Sequence, residues 1–408
     1  MITEPQAPLA SLAGRALAEA GWEGISRDLD ARLAGVTNSD VEREMGLAAE
    51  RFSLERLLVF LSPAARERLE DMAAQAHALT LQRFGRTMRM YAPLYLSNHC
   101  VNFCRYCGFN ASHRVARRRL SLEEALDEAR ALSERGFRDI LLVSGEDREH
   151  VSPEYLSELA LRLRERFASI AIEVHPLDEP GYARLAASGV DGLTLYQETY
   201  DRARYALFHP RGPKADYEAR LEAPERAARA GMRRLGIGAL LGLSDWRRDA
   251  VALAIHARAL MRRFWRTQIS FSFPRVRPAP GVSLPELMPV SDRDLVQMIL
   301  SLRLSFPDAG MALSTREEAA LRDRLIPLGV TQMSAGSRTF PGGYVCASGA
   351  AEQFDVCDTR SPETVSRVLA SLGYEPVWKD WDAGFLKDSP RPRICGCGAA
   401  RQGKGKPF

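Results

Sequence analysis

The chain has 408 residues, 46% of them hydrophobic and 26% charged, with a formal net charge of +4. That composition suits a globular protein with room for one large barrel and extensions at both ends, and it is too weakly basic to argue for nucleic acid. No apolar run reaches the roughly 18 residues a membrane span needs, and Met1 to Ala10 has neither a basic start nor an apolar core, so the expectation is a cytoplasmic protein with no signal peptide and no membrane or nucleic-acid partner.

Residues 1–85 read as a helical extension. Ser39 and Glu42 have capping-box spacing, and Ser62-Pro63 reads as a helix start with proline in the first turn. Over residues 86–338 the pattern changes. Eight short apolar or β-branched runs stand at Met90–Leu96, Ile140–Val143, Ile170–Val174, Leu193–Tyr196, Leu235–Leu241, Ile269–Phe273, Met311–Ser314 and Val330–Met333. Amphipathic stretches separate them, such as Ser121–Arg135, where Glu124 and Glu128 are expected to face Arg130 and Arg135. Eight strand–helix units predict an α/β protein built as a (β/α)8 TIM-type barrel. Residues 339–387 are expected to close the barrel, with a helix at Ser361–Leu372. Residues 388–408, rich in Pro, Gly, Lys and Arg, read as a disordered tail.

The seven cysteines are unevenly spread. Cys346 and Cys357 stand apart, Cys395 and Cys397 lie in the tail, and Cys100, Cys104 and Cys107 crowd together directly after the first expected strand. An odd count in an intracellular chain argues against a disulfide framework. Thiolates are the soft ligands of iron–sulfur clusters. Three of them on one loop can hold three irons of a four-iron cube and leave the fourth open, and loops after barrel strands form the active face. The alternative is structural zinc, with His99 or His113 completing a set of four, although zinc ligands usually come as two separated pairs.

Cys100-x-x-x-Cys104-x-x-Cys107 after a first barrel strand resembles the radical S-adenosylmethionine superfamily. Further segments sharpen the resemblance: Tyr91-Ala-Pro-Leu-Tyr-Leu-Ser-Asn98, Tyr106-Cys-Gly-Phe109, Val143-Ser-Gly-Glu146, Tyr196-Gln-Glu-Thr-Tyr200, Ser272-Phe-Pro-Arg275, Leu313-Ser-Thr-Arg316, Pro341-Gly-Gly-Tyr344 and Trp378-Lys-Asp-Trp381. In this order they are similar to the tyrosine lyases of thiazole biosynthesis, the 2-iminoacetate synthases, from about residue 35 to 385. The resemblance implies a [4Fe-4S] cluster on the three cysteines, with S-adenosyl-L-methionine bound to the open iron and cleaved to a 5′-deoxyadenosyl radical. It also implies scission of the Cα–Cβ bond of L-tyrosine to 2-iminoacetate (dehydroglycine) and p-cresol. The implied partners are thiazole synthase, which takes the 2-iminoacetate for thiamine, and a flavodoxin- or ferredoxin-type electron donor. A related tyrosine lyase of hydrogenase maturation has a second cluster on a C-terminal extension. Here only Cys395-Gly-Cys397 is found and no third cysteine follows, which favours the thiazole enzyme and makes these two cysteines dispensable. A tryptophan lyase on the same core is a further alternative.

Several residues are candidates for the site. Gly145 lets backbone approach a ligand closely, and Glu146 beside it can accept bonds from the methionine ammonium or cap the next helix. Glu198 suits the ribose hydroxyls, or makes a salt bridge under the rim. Arg220 is expected to pair with the methionine carboxylate, as an arginine there does in related enzymes. Arg316, at the end of the seventh strand, is the candidate for the tyrosine carboxylate, because a guanidinium grips a carboxylate with two parallel bonds; Arg275 and Arg277 compete for that role. Ser334 is a candidate for the amino group or is a plain barrel hydroxyl. His175 has no assigned role, and His113–Arg119 is either a solvated face or a dock for an acidic electron donor.

Overall fold

The computed structural model describes residues 11–48, 52–345 and 349–382. Cys346, Cys395, Cys397 and the expected tail lie outside them.

Eight parallel strands close into a barrel: β1 (Thr87–Ser97), β2 (Asp139–Ser144), β3 (Ser169–Glu173), β4 (Gly192–Thr194), β5 (Arg234–Gly238), β6 (Gln268–Ser272), β7 (Gly310–Leu313) and β8 (Gln332–Ser334). Closure runs through β1, which pairs with β8 over Arg89–Tyr91 and with β2 over Ala92–Ser97. The run at 235–241 leaves the regular strand after Gly238 and continues in isolated bridges, Glu198 to Ala239 and Leu241 to Arg275. A ninth strand, β9 (Glu375–Val377), was not foreseen. It adds to the N-terminal end of β1, where Pro376 is tolerated because β9 pairs on one side only.

Alternate residues of the strands face the lumen, as the period of two requires. Their lower layers do not follow the usual Val/Ile/Leu filling of such barrels. A cavity of about 270 Å³ is lined by Arg89, Tyr91, Asp139, Tyr196, Arg234 and Ser272, among others. Its charges are paired: Arg89 Nε lies 2.9 Å from Asp139, and Arg234 spans Asp139 and Asp191. These pairings offset the desolvation that burial imposes.

The N-terminal helices pack onto the barrel helices. Val41, Phe60 and Met72 form a cluster with Leu300 and Leu304 of helix Asp292–Ser305, and Gln297 donates to the carbonyls of Phe60 and Ser62. The capping box in this region belongs to Thr37 and Asp40, not to Ser39 and Glu42. Both pairs have the same spacing, and the helix starts at Asn38; Glu42 instead pairs with Arg68. Helix Leu122–Glu134 is boxed by Ser121 and Glu124. Its Glu128 does not face an arginine of its own helix. It is buried and accepts the backbone N–H groups of Tyr344 and Val345, while Arg130 pairs with Asp127. The segment after β8 crosses the barrel mouth, runs down through helix Pro362–Ser371 and ends in β9. Among the described residues no helix is long and apolar enough to cross a membrane.

Candidate active site

The loop after β1 carries the three cysteines, with Cys104 buried and Cys100 and Cys107 half-buried. Almost every backbone group near them is tied down. Arg117 donates to the carbonyls of Asn98, Phe109 and Asn110 at 2.6–2.8 Å, and Asn110 Nδ2 donates to the carbonyl of Cys104. Arg118 pairs with Glu124, and Arg119 stacks over Tyr155. Within the basic run at 113–119, Arg117 is therefore a clamp on the loop, while Arg114 and Arg119 are exposed.

Neighbouring backbone approaches this loop closely at three glycines. A Cβ on Gly145 would lie 2.2 Å from the His99 carbonyl oxygen. One on Gly108 would lie 2.4 Å from the Glu352 carbonyl oxygen, and one on Gly212 would lie 2.5 Å from Asn102 Oδ1. Burial raises the pKa of all three thiols, and a bound metal would favour their thiolate form. Among the described residues, His99, Asp147 and His150 are the only three ligating side chains whose ligand atoms all lie within 4.8 Å of one another. The thiols are spread more widely, whereas sulfurs on one tetrahedral zinc sit about 3.8 Å apart. His99 stacks on His150 with ring centroids 3.8 Å apart, and His113 Nδ1 meets the Gly108 carbonyl. The donor set fits a cluster bridged by several irons and does not fit a single zinc.

A buried charge network stands beside the loop. Glu146 Oε1 accepts from Arg220 Nη1 at 2.8 Å, and its Oε2 accepts from Asn102 Nδ2 at 2.9 Å. Glu198 Oε1 accepts from Lys214 Nζ at 2.7 Å and from Arg220 Nη2 at 3.2 Å. Arg220 Nε donates to the Tyr196 carbonyl. Burial opposes ionisation of Glu198, but Lys214 and Arg220 outweigh it and hold the carboxyl at about 2. Glu198 is also the only described non-glycine residue with positive φ, 70°, and such strain concentrates at functional positions. Lys214 escaped the sequence reading; only its position near Arg220 hinted at it.

The opposite rim places Arg316 over the Phe354 ring, 3.3 Å from its centroid. Among the described residues no carboxylate pairs with Arg316. Arg275 and Arg277 differ: both bind the buried Glu317, and Arg275 also meets Asp292 and the Val290 carbonyl. Ser334 is buried in register with Tyr91, its carbonyl held by Arg322 at 2.6 Å. His175 lies beyond the end of β3, buried, with neither ring nitrogen hydrogen-bonded among the described residues, and burial lowers it to about 4. Glu173, the last residue of β3, was missed because a single acid after an apolar run carries no motif.

Two family profiles match the chain: the radical SAM superfamily over residues 94–254 and the Biotin and Thiamin Synthesis associated domain over residues 272–375. The 2-iminoacetate synthase of Escherichia coli is 44% identical over 365 residues, covering 89% of this chain and 96% of the relative. The chain belongs to the 2-iminoacetate synthase family. It is a radical SAM carbon–carbon lyase with a [4Fe-4S] cluster and S-adenosyl-L-methionine as cofactors. Among solved structures, HydG, a maturase of the [FeFe]-hydrogenase, aligns with a TM-score of 0.83 at 32% identity, covering 90% of this chain and 83% of that one. Methylornithine synthase (PylB) shares the fold, with a TM-score of 0.63 at 21% identity over 86% of this chain and 97% of that one. The higher identity and near-complete coverage of the 2-iminoacetate synthase set this chain with that branch of the family.

Proposed function

We propose that the barrel mouth performs Cα–Cβ cleavage of L-tyrosine to 2-iminoacetate and p-cresol, and that the residues described above divide the work as follows. The observation that carries the reaction is the 44% identity across nearly the whole of a 2-iminoacetate synthase. Cys100, Cys104 and Cys107 hold the cluster. When bound, the cluster and S-adenosyl-L-methionine supply one-electron reductive cleavage of a sulfonium bond and the hydrogen-atom abstraction that follows. Gly145 lets the cysteine loop lie against the end of β2, and Glu146 presents a carboxylate to the methionine ammonium. Glu198, aligned by Arg220 and Lys214, faces the polar part of the same cofactor.

Arg316 takes the substrate carboxylate. It is the arginine at this rim whose guanidinium has no carboxylate partner among the described residues, whereas Arg275 and Arg277 are neutralised by Glu317. Ser334 offers its hydroxyl to the amino group. The segment carrying Phe354 and Gln353 covers the mouth: Gln353 Oε1 accepts from Tyr95 Oη at 2.6 Å, and its carbonyl accepts from the Gly108 N–H. A covered mouth keeps water from reactive intermediates. A flavodoxin- or ferredoxin-type protein supplies the electron, thiazole synthase receives the 2-iminoacetate, and the enzyme works in the cytoplasm.

The test is to titrate L-tyrosine and S-adenosyl-L-methionine against Arg316→Ala and Arg275→Ala proteins. A charge-assisted pair is worth about 1.5–3 kcal/mol, so Arg316→Ala should weaken L-tyrosine binding roughly tenfold to a few hundredfold and leave cofactor binding nearly unchanged. Loss of L-tyrosine binding in Arg275→Ala alone would move the anchor to β6.

A further inference from the structure

The lumen above the cavity holds one acid that none of the roles assigned so far uses. β1, β2 and β3 pair in register, so that Tyr95, Val143 and Glu173 stand at one height. Ala171, two residues earlier on β3, lines the lumen, and the period of two points Glu173 the same way. Tyr95, Val143 and Tyr91 pack together on the adjoining wall. The Glu173 carboxyl forms no hydrogen bond or ion pair among the described residues.

The carboxyl is half-buried; facing the barrel lumen without a partner it is partly desolvated at a cost, and such groups mark sites where a ligand completes the pairing. Burial raises Glu173 to about 7. The charges around it are Arg316, Lys214 and Arg220, which favour its ionised form, and Glu198, which opposes it; Arg316 has the largest influence of the four. Tyr91, Tyr95 and Tyr196 all lie within electrostatic reach of Glu173. The acid thus faces the same space as the guanidinium assigned to the substrate carboxylate.

We propose that Glu173 binds the α-ammonium of the substrate, so that Glu173 and Arg316 together form a clamp for an amino-acid zwitterion. The inference rests on Arg316 holding the carboxylate. The two charges of an amino-acid head group sit on neighbouring atoms, so a carboxyl within the field of that arginine meets the amine before it meets the phenol at the far end of the ring. The ammonium has three N–H donors, enough for Glu173 and the Ser334 hydroxyl together. The clamp selects α-amino acids over the corresponding acids and fixes the nitrogen and Cα of the bond to be broken, where small misplacements are costly.

The experiment uses cluster-loaded enzyme with S-adenosyl-L-methionine, and three probes: L-tyrosine, L-phenylalanine, which lacks the phenol, and 3-(4-hydroxyphenyl)propanoate, which lacks the amine. Glu173→Gln should weaken both amino acids by a similar factor, roughly tenfold to a hundredfold, and leave the propanoate unchanged. Glu173→Asp, which keeps the charge on a shorter arm, should fall between Glu173→Gln and the wild type. A loss confined to the two phenol-bearing probes would place Glu173 at the ring and overturn the proposal, as would equal affinities for all three. The pair L-tyrosine and propanoate decides the matter even if L-phenylalanine binds weakly throughout. Arg316→Ala is the separate control: if all three probes keep their affinity there, the carboxylate assignment has failed, whatever Glu173→Gln shows.

Discussion

Gly145→Ala perturbs the cluster loop through backbone alone. The added methyl would sit 2.2 Å from the His99 carbonyl oxygen, 2.9 Å from its carbonyl carbon and 3.2 Å from Cys100 Cβ. Ordinary van der Waals contact begins at 3.4 Å, so the two segments must part by about 1.2 Å. Neither is free to move. Gly145 N–H donates to the Ser97 carbonyl at 2.9 Å, and Val101 N–H donates to the Glu146 carbonyl at 3.2 Å, so two hydrogen bonds bracket the contact. Losing them costs about 1 kcal/mol each, and overpacking adds about 1–3 kcal/mol, giving about 3–5 kcal/mol of local destabilisation. That strain falls on the residue beside Cys100, so cluster assembly should suffer more than global folding. The assay compares iron per chain, visible absorbance and melting temperature after anaerobic reconstitution. Gly24→Ala is the control, because a Cβ there meets nothing within 4 Å and the helix should gain slightly. A Gly145→Ala protein with a full complement of iron and the wild-type melting temperature would refute the close-approach reasoning.

Cys104→Ala should abolish 5′-deoxyadenosine formation from S-adenosyl-L-methionine, and retention of the full yield would overturn the cluster assignment. Asp249 gives a pH signature. Burial lifts its carboxyl from 3.8 to about 7, although bonds from Tyr200 N–H and Thr199 Oγ1 favour the ion. The folded state therefore holds this proton more tightly than the unfolded state, and the group's contribution to stability declines as pH rises from about 4 to about 7. Asp249→Asn should remove that slope and raise the melting temperature relative to the wild type at pH 8 more than at pH 5. Parallel curves for the two proteins across this range would contradict the assignment.

The barrel and the cysteine loop were legible because they rest on local pattern. Eight apolar runs alternate with amphipathic stretches, and three ligands lie within eight residues, Cys100 to Cys107. The partners of charged residues were not legible, because they are set by closure of the barrel. Arg220 meets Glu146 from 74 positions away, and Arg275 meets Glu317 from 42 away. No spacing in the sequence announces that one acid neutralises both Arg275 and Arg277. Glu173 and Lys214 gain their meaning in the same way, from lumen position and long-range charge. Strand β9 escaped because Glu375-Pro-Val377 is short, includes a proline and forms only as an addition to β1.

Anaerobic incubation of the reconstituted enzyme with L-tyrosine, S-adenosyl-L-methionine and dithionite, followed by product analysis and paired with the same incubation on L-tryptophan, tests the central claim most directly. The account predicts p-cresol and 5′-deoxyadenosine from L-tyrosine, 2-iminoacetate or its hydrolysis product glyoxylate alongside, and no indole-derived fragment from L-tryptophan. Turnover of L-tryptophan with L-tyrosine left intact would contradict it.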